Sequence, residues 1–106
     1  MSKGNVYYDS KLCGILEETD NGYRFSYADE WFNNPDAPSI SLTMPKDRKV
    51  YESTIFFPFF DGLIPEGYLL QLVVDRWGYQ FKDRFKILLK SGMDTIGAVT
   101  VKEAKE

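Results

Sequence analysis

The sequence has no histidine, a single cysteine and no long apolar run. Each absence removes a class of function. Without histidine the chain lacks the commonest general base and metal ligand, and the partner that a serine or cysteine nucleophile needs. Cys13 alone can form no internal disulfide, which fits a reducing compartment. It lies in an apolar run, where a buried structural thiol is the expected role. No segment approaches the ~18 apolar residues of a membrane span, and the opening Met1-Ser2-Lys3-Gly4-Asn5 has no apolar signal region. A cytoplasmic protein without membrane attachment is therefore expected. No cofactor is expected either. Gly62, Gly67, Gly92 and Gly97 match no phosphate-cradling spacing, and Asp61-Gly62 lacks the phenylalanine of the kinase metal-binding triplet. One cysteine without histidine leaves no metal-site spacing.

What is present suits one small domain spanning residues 1–106. Apolar residues make up 43% and aromatics 16%, enough for one core at a length where folding buries about two-thirds of the chain's surface. The net charge of −3 argues against bulk nucleic-acid binding, which shows as a basic excess. The charge is uneven, however. Residues 1–40 carry three basic against seven acidic side chains, a net of −4. Residues 76–90 carry Arg76, Lys82, Arg84, Lys86 and Lys90 against Asp83, a net of +4. This is either a solvated helix face or a docking dipole.

The first third reads as a β-meander. Val6-Tyr7-Tyr8 is a short strand and Asp9-Ser10 a tight turn. Lys11 to Glu17 alternates, with Leu12, Gly14 and Leu16 on one face and Cys13 and Ile15 on the other. Asp20-Asn21-Gly22 is a hairpin signal. Tyr23, Phe25 and Tyr27 then alternate with Arg24 and Ser26, the period of a half-buried strand. Asn33 to Pro38 is a loop on its turn residues. Ser39 to Thr43, alternating around Ile40 and Leu42, predicts another strand, and residues 45–49 a polar connection. Pro65 suits a first helical turn with Glu66 near the positive end. Leu69, Leu70, Val73, Val74 and Trp77 follow at helical spacing, with Gly78 as a stop. Phe81, Phe85, Leu88 and Leu89 predict a second helix ending at Gly92, and Ala98 to Val101 a last strand. The fold class is α+β: a small, mainly antiparallel β-sheet with two or more helices packed on one side.

Phe56-Phe57-Pro58-Phe59-Phe60-Asp61-Gly62-Leu63-Ile64-Pro65-Glu66-Gly67-Tyr68 is the most unusual segment. Four phenylalanines surround a proline, and a turn leads into a helix. The rings can supply core packing. A proline-stiffened aromatic corner is also a rigid interface anchor, and Tyr68, beside a glycine at the helix start, is the best candidate for exposure. Asp61 and Glu66 suit turn and capping roles better than acid–base work.

At these residues the chain resembles a known family. Phe59-Phe60-Asp61-Gly62-Leu63-Ile64-Pro65-Glu66-Gly67 is similar to the F-F-x-[NG]-L-L-P-E-G signature of the N-terminal subdomain of HipA-type serine/threonine kinase toxins. Asp94-Thr95-Ile96-Gly97-Ala98-Val99 resembles that family's D-x-x-G-A-V. Val6-Tyr7-Tyr8 with Leu12 to Leu16 is similar to its first hairpin, and Ser39 to Pro45 to its S-L-S-L-P strand. The resemblance spans nearly the whole chain. In HipA-type proteins a kinase core of several hundred residues follows this subdomain, whereas here the chain stops at Glu106, so a complete small protein is expected. The resemblance implies a HipS-like antitoxin, a detached lid that binds and restrains a HipA/HipT-type kinase in a HipBST-type system. A HipB-type helix-turn-helix protein would be an indirect partner. The implied partner-binding residues are Phe59, Phe60, Asp61, Gly62, Leu63, Ile64, Pro65, Glu66, Gly67 and Tyr68. The family often has tryptophan where this chain has Tyr68, which implies a related aromatic contact.

Four functions compete: an inhibitory binding module, a subunit supplied in trans that completes and activates a split kinase, an unrelated small enzyme, and a DNA binder using residues 76–90. The missing histidine, metal spacing and phosphate loop count against the enzyme. The acidic total and the lack of a DNA-reading motif count against direct nucleic-acid binding. Sequence does not separate the first two.

Overall fold

The computed structural model describes residues 2–64, 71, 75, 84–94 and 97–104. Among the described residues five strands form one antiparallel sheet: β1 (Lys3–Tyr8), β2 (Lys11–Thr19), β3 (Gly22–Tyr27), β4 (Val50–Ser53) and β5 (Val99–Glu103), in spatial order β4-β3-β2-β1-β5. Among the described residues three helices have defined bounds: α1 (Asp29–Asn33), α2 (Pro58–Asp61) and α3 (Arg84–Ser91), the last running into a 3-10 turn at Gly92–Asp94. The expected α+β class is what the chain adopts. Of the expected helix from Pro65 through Trp77 to Gly78, only Gln71 and Asp75 are among the described residues, and both are helical.

The meander forms because its turns are encoded locally. Asp9 and Ser10 both take positive φ, 48° and 71°, the pair of left-handed residues that a two-residue hairpin needs to match strand twist. Asp20-Asn21 closes the second hairpin. There Gly22, at φ 150°, lies so close to β4's end that a Cβ would fall 2.1 Å from the Ser53 carbonyl oxygen. Tyr23, Phe25 and Tyr27 share one face of β3. Phe25 meets Phe60 of α2 at 5.5 Å between centroids, and Tyr23 meets Phe85 of α3 at 6.0 Å. The two helices therefore cover the same side of the sheet. Val6, Leu16, Phe25, Phe60, Ile87, Leu88 and Val101 are buried between the layers. On the opposite face Arg24 pairs with Glu17 and Glu52 in partly solvated ion pairs, which stabilise little.

Two local expectations fail. The first is the alternation in β2. Val6 pairs with Gly14 but Tyr7 pairs with Leu12, leaving Cys13 as an extra residue, a β-bulge. A bulge slips the period by one. Cys13 turns into the core with Gly14 and Leu16, while Leu12 is left 45% exposed. The bulged carbonyl is used: Cys13 O accepts from Ala28 N at 2.8 Å, which fixes where α1 begins.

The second is the strand over Ser39–Thr43, which does not form. Ile40 N donates to the Tyr27 hydroxyl at 3.0 Å, and that hydroxyl donates to Met44 O. Ser41 Oγ accepts from Thr43 N at 3.1 Å, and Met44 N closes a turn onto Ser41 O. Serine and threonine hydroxyls offer the backbone an alternative to a ladder, and here the alternative prevails. Ile40 and Met44 are buried while Leu42 between them is fully exposed. The strand beside β3 is instead β4, with Phe25 paired to Tyr51 and Tyr51 Oη donating to Pro45 O at 2.6 Å.

Candidate functional site

The phenylalanine segment becomes α2 and the turn that leaves it. Pro58 occupies the first helical turn, where its missing N–H costs nothing. Asp61 N to Phe57 O, Gly62 N to Pro58 O, Leu63 N to Phe60 O and Ile64 N to Asp61 O, at 2.9–3.2 Å, wind the chain continuously through residue 64. The rings serve the core. Phe60 is wholly buried, with Phe25, Phe57 and Phe59 around it at 5.2–6.1 Å. Phe56 stacks on Phe85 of α3 at 5.6 Å.

Of the ten residues the sequence nominated, Phe60 and Ile64 point inward, at 0% and 2% exposure. Phe59, Asp61 and Leu63 are part-exposed and Gly62 is exposed, so four neighbouring residues reach the surface together. Pro65, Glu66, Gly67 and Tyr68 lie outside the described residues. Gly62 adopts ordinary right-handed geometry, φ −68°. A Cβ there would come no nearer than 3.4 Å to the Pro58 oxygen. The turn thus places no demand for glycine at residue 62, which presents bare backbone at the surface.

Asp61 is held by an unforeseen partner. Arg84 Nε donates to Asp61 Oδ1 at 2.6 Å, tying α2 to α3 across 23 residues. Lys90 pairs with Glu103 of β5 at 3.2 Å. Two of the five basic residues in 76–90 are therefore spent inside the domain. Proximity in sequence gave no hint of either pair; the only signal was an acidic residue in the turn and a basic run further on.

Cys13 is buried, and burial pushes its thiol from 9.0 up to about 12, so near neutral pH it stays protonated and un-nucleophilic. Among the described residues no three His, Cys, Asp or Glu side chains converge as a metal site, and no described helix is long and apolar enough to cross a membrane. The arrangement at α2 offers contact surface: a part-exposed aromatic ring, a leucine, a bare peptide and a neutralised carboxylate.

A family model described as HipA N-terminal domain matches residues 4–102. A solved structure titled "N-terminal domain of HipA toxin" superposes with a TM-score of 0.76 at 27% identity, covering 100% of this chain and 95% of that one. An uncharacterized protein of Haemophilus influenzae is 33% identical over 105 residues, 97% of this chain and 93% of that protein. Two Sinorhizobium fredii proteins named "Putative kinase Y4mE" and "Putative kinase Y4dM" are 26% and 27% identical. This chain spans only 23% and 24% of their lengths.

Proposed function

The chain belongs to the HipA N-terminal domain family, and from that membership we propose that it is a non-catalytic binding module, a HipS-like antitoxin that docks on a separate HipA/HipT-type serine/threonine kinase and inhibits it. The observation that carries the reading is the length relation. The same domain makes up about a quarter of two relatives named as kinases and nearly all of the H. influenzae protein. A domain that occurs both fused and at this short length is suited to meet the rest of a kinase in trans. The contact surface in this reading is Phe59, Asp61, Gly62 and Leu63, continued by Pro65, Glu66, Gly67 and Tyr68, with Phe60 and Ile64 holding it from beneath. Kinases close around ATP, so a rigid body wedged at the cleft suppresses turnover without chemistry of its own. Any link to a HipB-type DNA-binding protein would run through the kinase.

The alternative is a subunit that completes and activates a split kinase through the same surface. Co-expression with a HipA-type kinase separates the two. Rescue of growth is the expected result, and increased toxicity would establish the activating role instead. Titration calorimetry of the isolated chain with Mg-ATP should give no heat. Saturable binding in the micromolar range, on the order of a nucleotide site, would overturn the non-catalytic reading.

A further inference from the structure

The β1–β2 turn faces α1 across a groove of about 510 Å³. Its floor is aromatic. Tyr8 lies against Trp31 with ring centroids 5.4 Å apart, tilted by 42°. Leu12, turned outward by the bulge at Cys13, and Pro38 extend the apolar lining. The wall is fixed before any ligand arrives. Trp31 Nε1 donates to Pro38 O at 2.9 Å, and Asp36 N to Asn34 Oδ1 at 2.9 Å. Lys46 Nζ bridges Asn34 O and Ala37 O at 2.6 and 2.7 Å. A preformed groove avoids the ordering entropy that a flexible loop would lose on binding.

The rim is predominantly acidic. Asp9, Glu30 and Asp36 line the groove against the lone Lys11, and all three carboxylate residues are exposed. None has an ion-pair partner among the described residues. Five other carboxylates are paired, Glu17 and Glu52 with Arg24, Asp29 with Lys49, Asp61 with Arg84, and Glu103 with Lys90, while Glu18, Asp20 and Asp47 also have no ion pair among the described residues. What sets the groove apart is that three unpaired carboxylates share one rim beside aromatic rings, an arrangement complementary to one kind of side chain. An arginine or lysine lays its aliphatic stem on the rings and its charge over the π-face, and its head group reaches the rim.

We propose that this groove docks a basic segment of a protein partner, with an arginine or lysine of that segment over the part-exposed Tyr8 ring, which the largely buried Trp31 backs, and its charge among Asp9, Glu30 and Asp36. Complementary charge and the open aromatic floor select this occupant; a phosphate backbone or an acidic peptide would meet repulsion. Among the described residues the groove shares no lining residue with Phe59 to Ile64, so it provides a second, independent contact and does not rest on the kinase reading.

The test is a two-dimensional NMR titration of the full chain with the acetylated hexapeptide Ala-Arg-Leu-Ala-Arg-Leu and its counterpart with both arginines replaced by glutamine. The arginine peptide should shift the Trp31 indole N–H and the amides of Asp9 to Leu12. The glutamine peptide should bind at least about tenfold more weakly, the scale of a cation–π contact plus ion pairing. The double variant Glu30→Gln/Asp36→Asn changes only exposed side chains, so it should retain the native spectrum and lose binding by a similar factor. Equal shifts with both peptides, shifts confined to other surfaces, or no shift up to ~2 mM peptide, the weak limit of specific docking, would overturn the proposal. The same residues shifting with protein concentration alone would give the groove to a second copy of this chain and overturn it too.

Discussion

Two aromatic clusters in this domain have opposite fates. Around α2, Phe56, Phe57 and Phe60 meet Tyr23, Phe25 and Phe85, and the nearby carboxylate of Asp61 is met by Arg84. Around α1, Tyr8 and Trp31 meet each other above an open groove, and the nearby carboxylates of Asp9, Glu30 and Asp36 have no ion pair among the described residues. Aromatic density therefore does not mark a surface or a core. At α2 the carboxylate is met inside the domain and Phe57 and Phe60 are core; at α1 Trp31 is core as well, and only the Tyr8 ring, beside carboxylates left to solvent, stays part-exposed.

The largest effect that would break this comparison is at Phe60. If the α2 rings are structural, Phe60→Ala should lower stability by about 3–5 kcal/mol, the range for deleting a buried ring, read from urea unfolding. A loss under ~1 kcal/mol would mean that the α2 cluster is not core.

A pH series sharpens the same contrast. The covered face holds Cys13 and Tyr27 with their ionisations pushed upward by burial, the thiol from 9.0 to about 12 and the phenol above its usual 10.0. Both groups keep their protons longer when folded than when unfolded. Their contribution is thus complete below pH 9 and declines as the pH rises from 9 toward 12. The urea midpoint should fall over that interval. Cys13→Ala should remove the earlier part of the fall and leave the part due to Tyr27. A midpoint that falls just as steeply in Cys13→Ala would contradict the assignment to the thiol.

Smaller effects are expected where α2 meets solvent. Asp61→Asn should cost at most about 1 kcal/mol, and less in high salt, because its pair with Arg84 is partly exposed. A salt-independent loss would make the pair a buried one. Gly62→Ala should be neutral or stabilising by about 0.4–1 kcal/mol, since its geometry suits any residue and alanine narrows the unfolded ensemble. If the proposed kinase surface is right, this stabilising change should still weaken docking, because the new methyl stands where bare backbone met the partner. Undiminished affinity would remove Gly62 from that surface.

How much of this was legible in the sequence depended on range. Asp9-Ser10 and Asp20-Asn21-Gly22 carried their turns in four residues or fewer, and the alternation of Tyr23, Phe25 and Tyr27 fixed the face on which the helices would pack. Helix α3 was visible in Phe85, Leu88 and Leu89, although Ile87 is equally buried. The segment Ser39–Thr43 misled because its alternation is real while its hydrogen bonds go to Tyr27 and to its own hydroxyls. Helix α1 has only five residues, too few to show a period. The bulge at Cys13 was hidden because nothing local calls for it; its carbonyl is satisfied by Ala28, fifteen positions away. The candidate site was legible as a segment, through its Pro58 and its aromatic run. Which of its residues face outward was not, since that is set by contacts with β3 and α3. The groove was invisible for the same reason: Tyr8 and Trp31 come together only through the bulge and the start of α1.

The central claim, that the turn following α2 is a partner-binding surface, is tested most directly at Tyr68. The measurement is the affinity of the Tyr68→Ala variant for a HipA-type kinase, with the variant's thermal unfolding recorded on the same sample. Truncating an aromatic anchor typically costs about 2–4 kcal/mol of binding. The account predicts affinity weakened by more than about tenfold at an unchanged melting temperature. A lowered melting temperature with unchanged affinity would contradict it and return Tyr68 to the core.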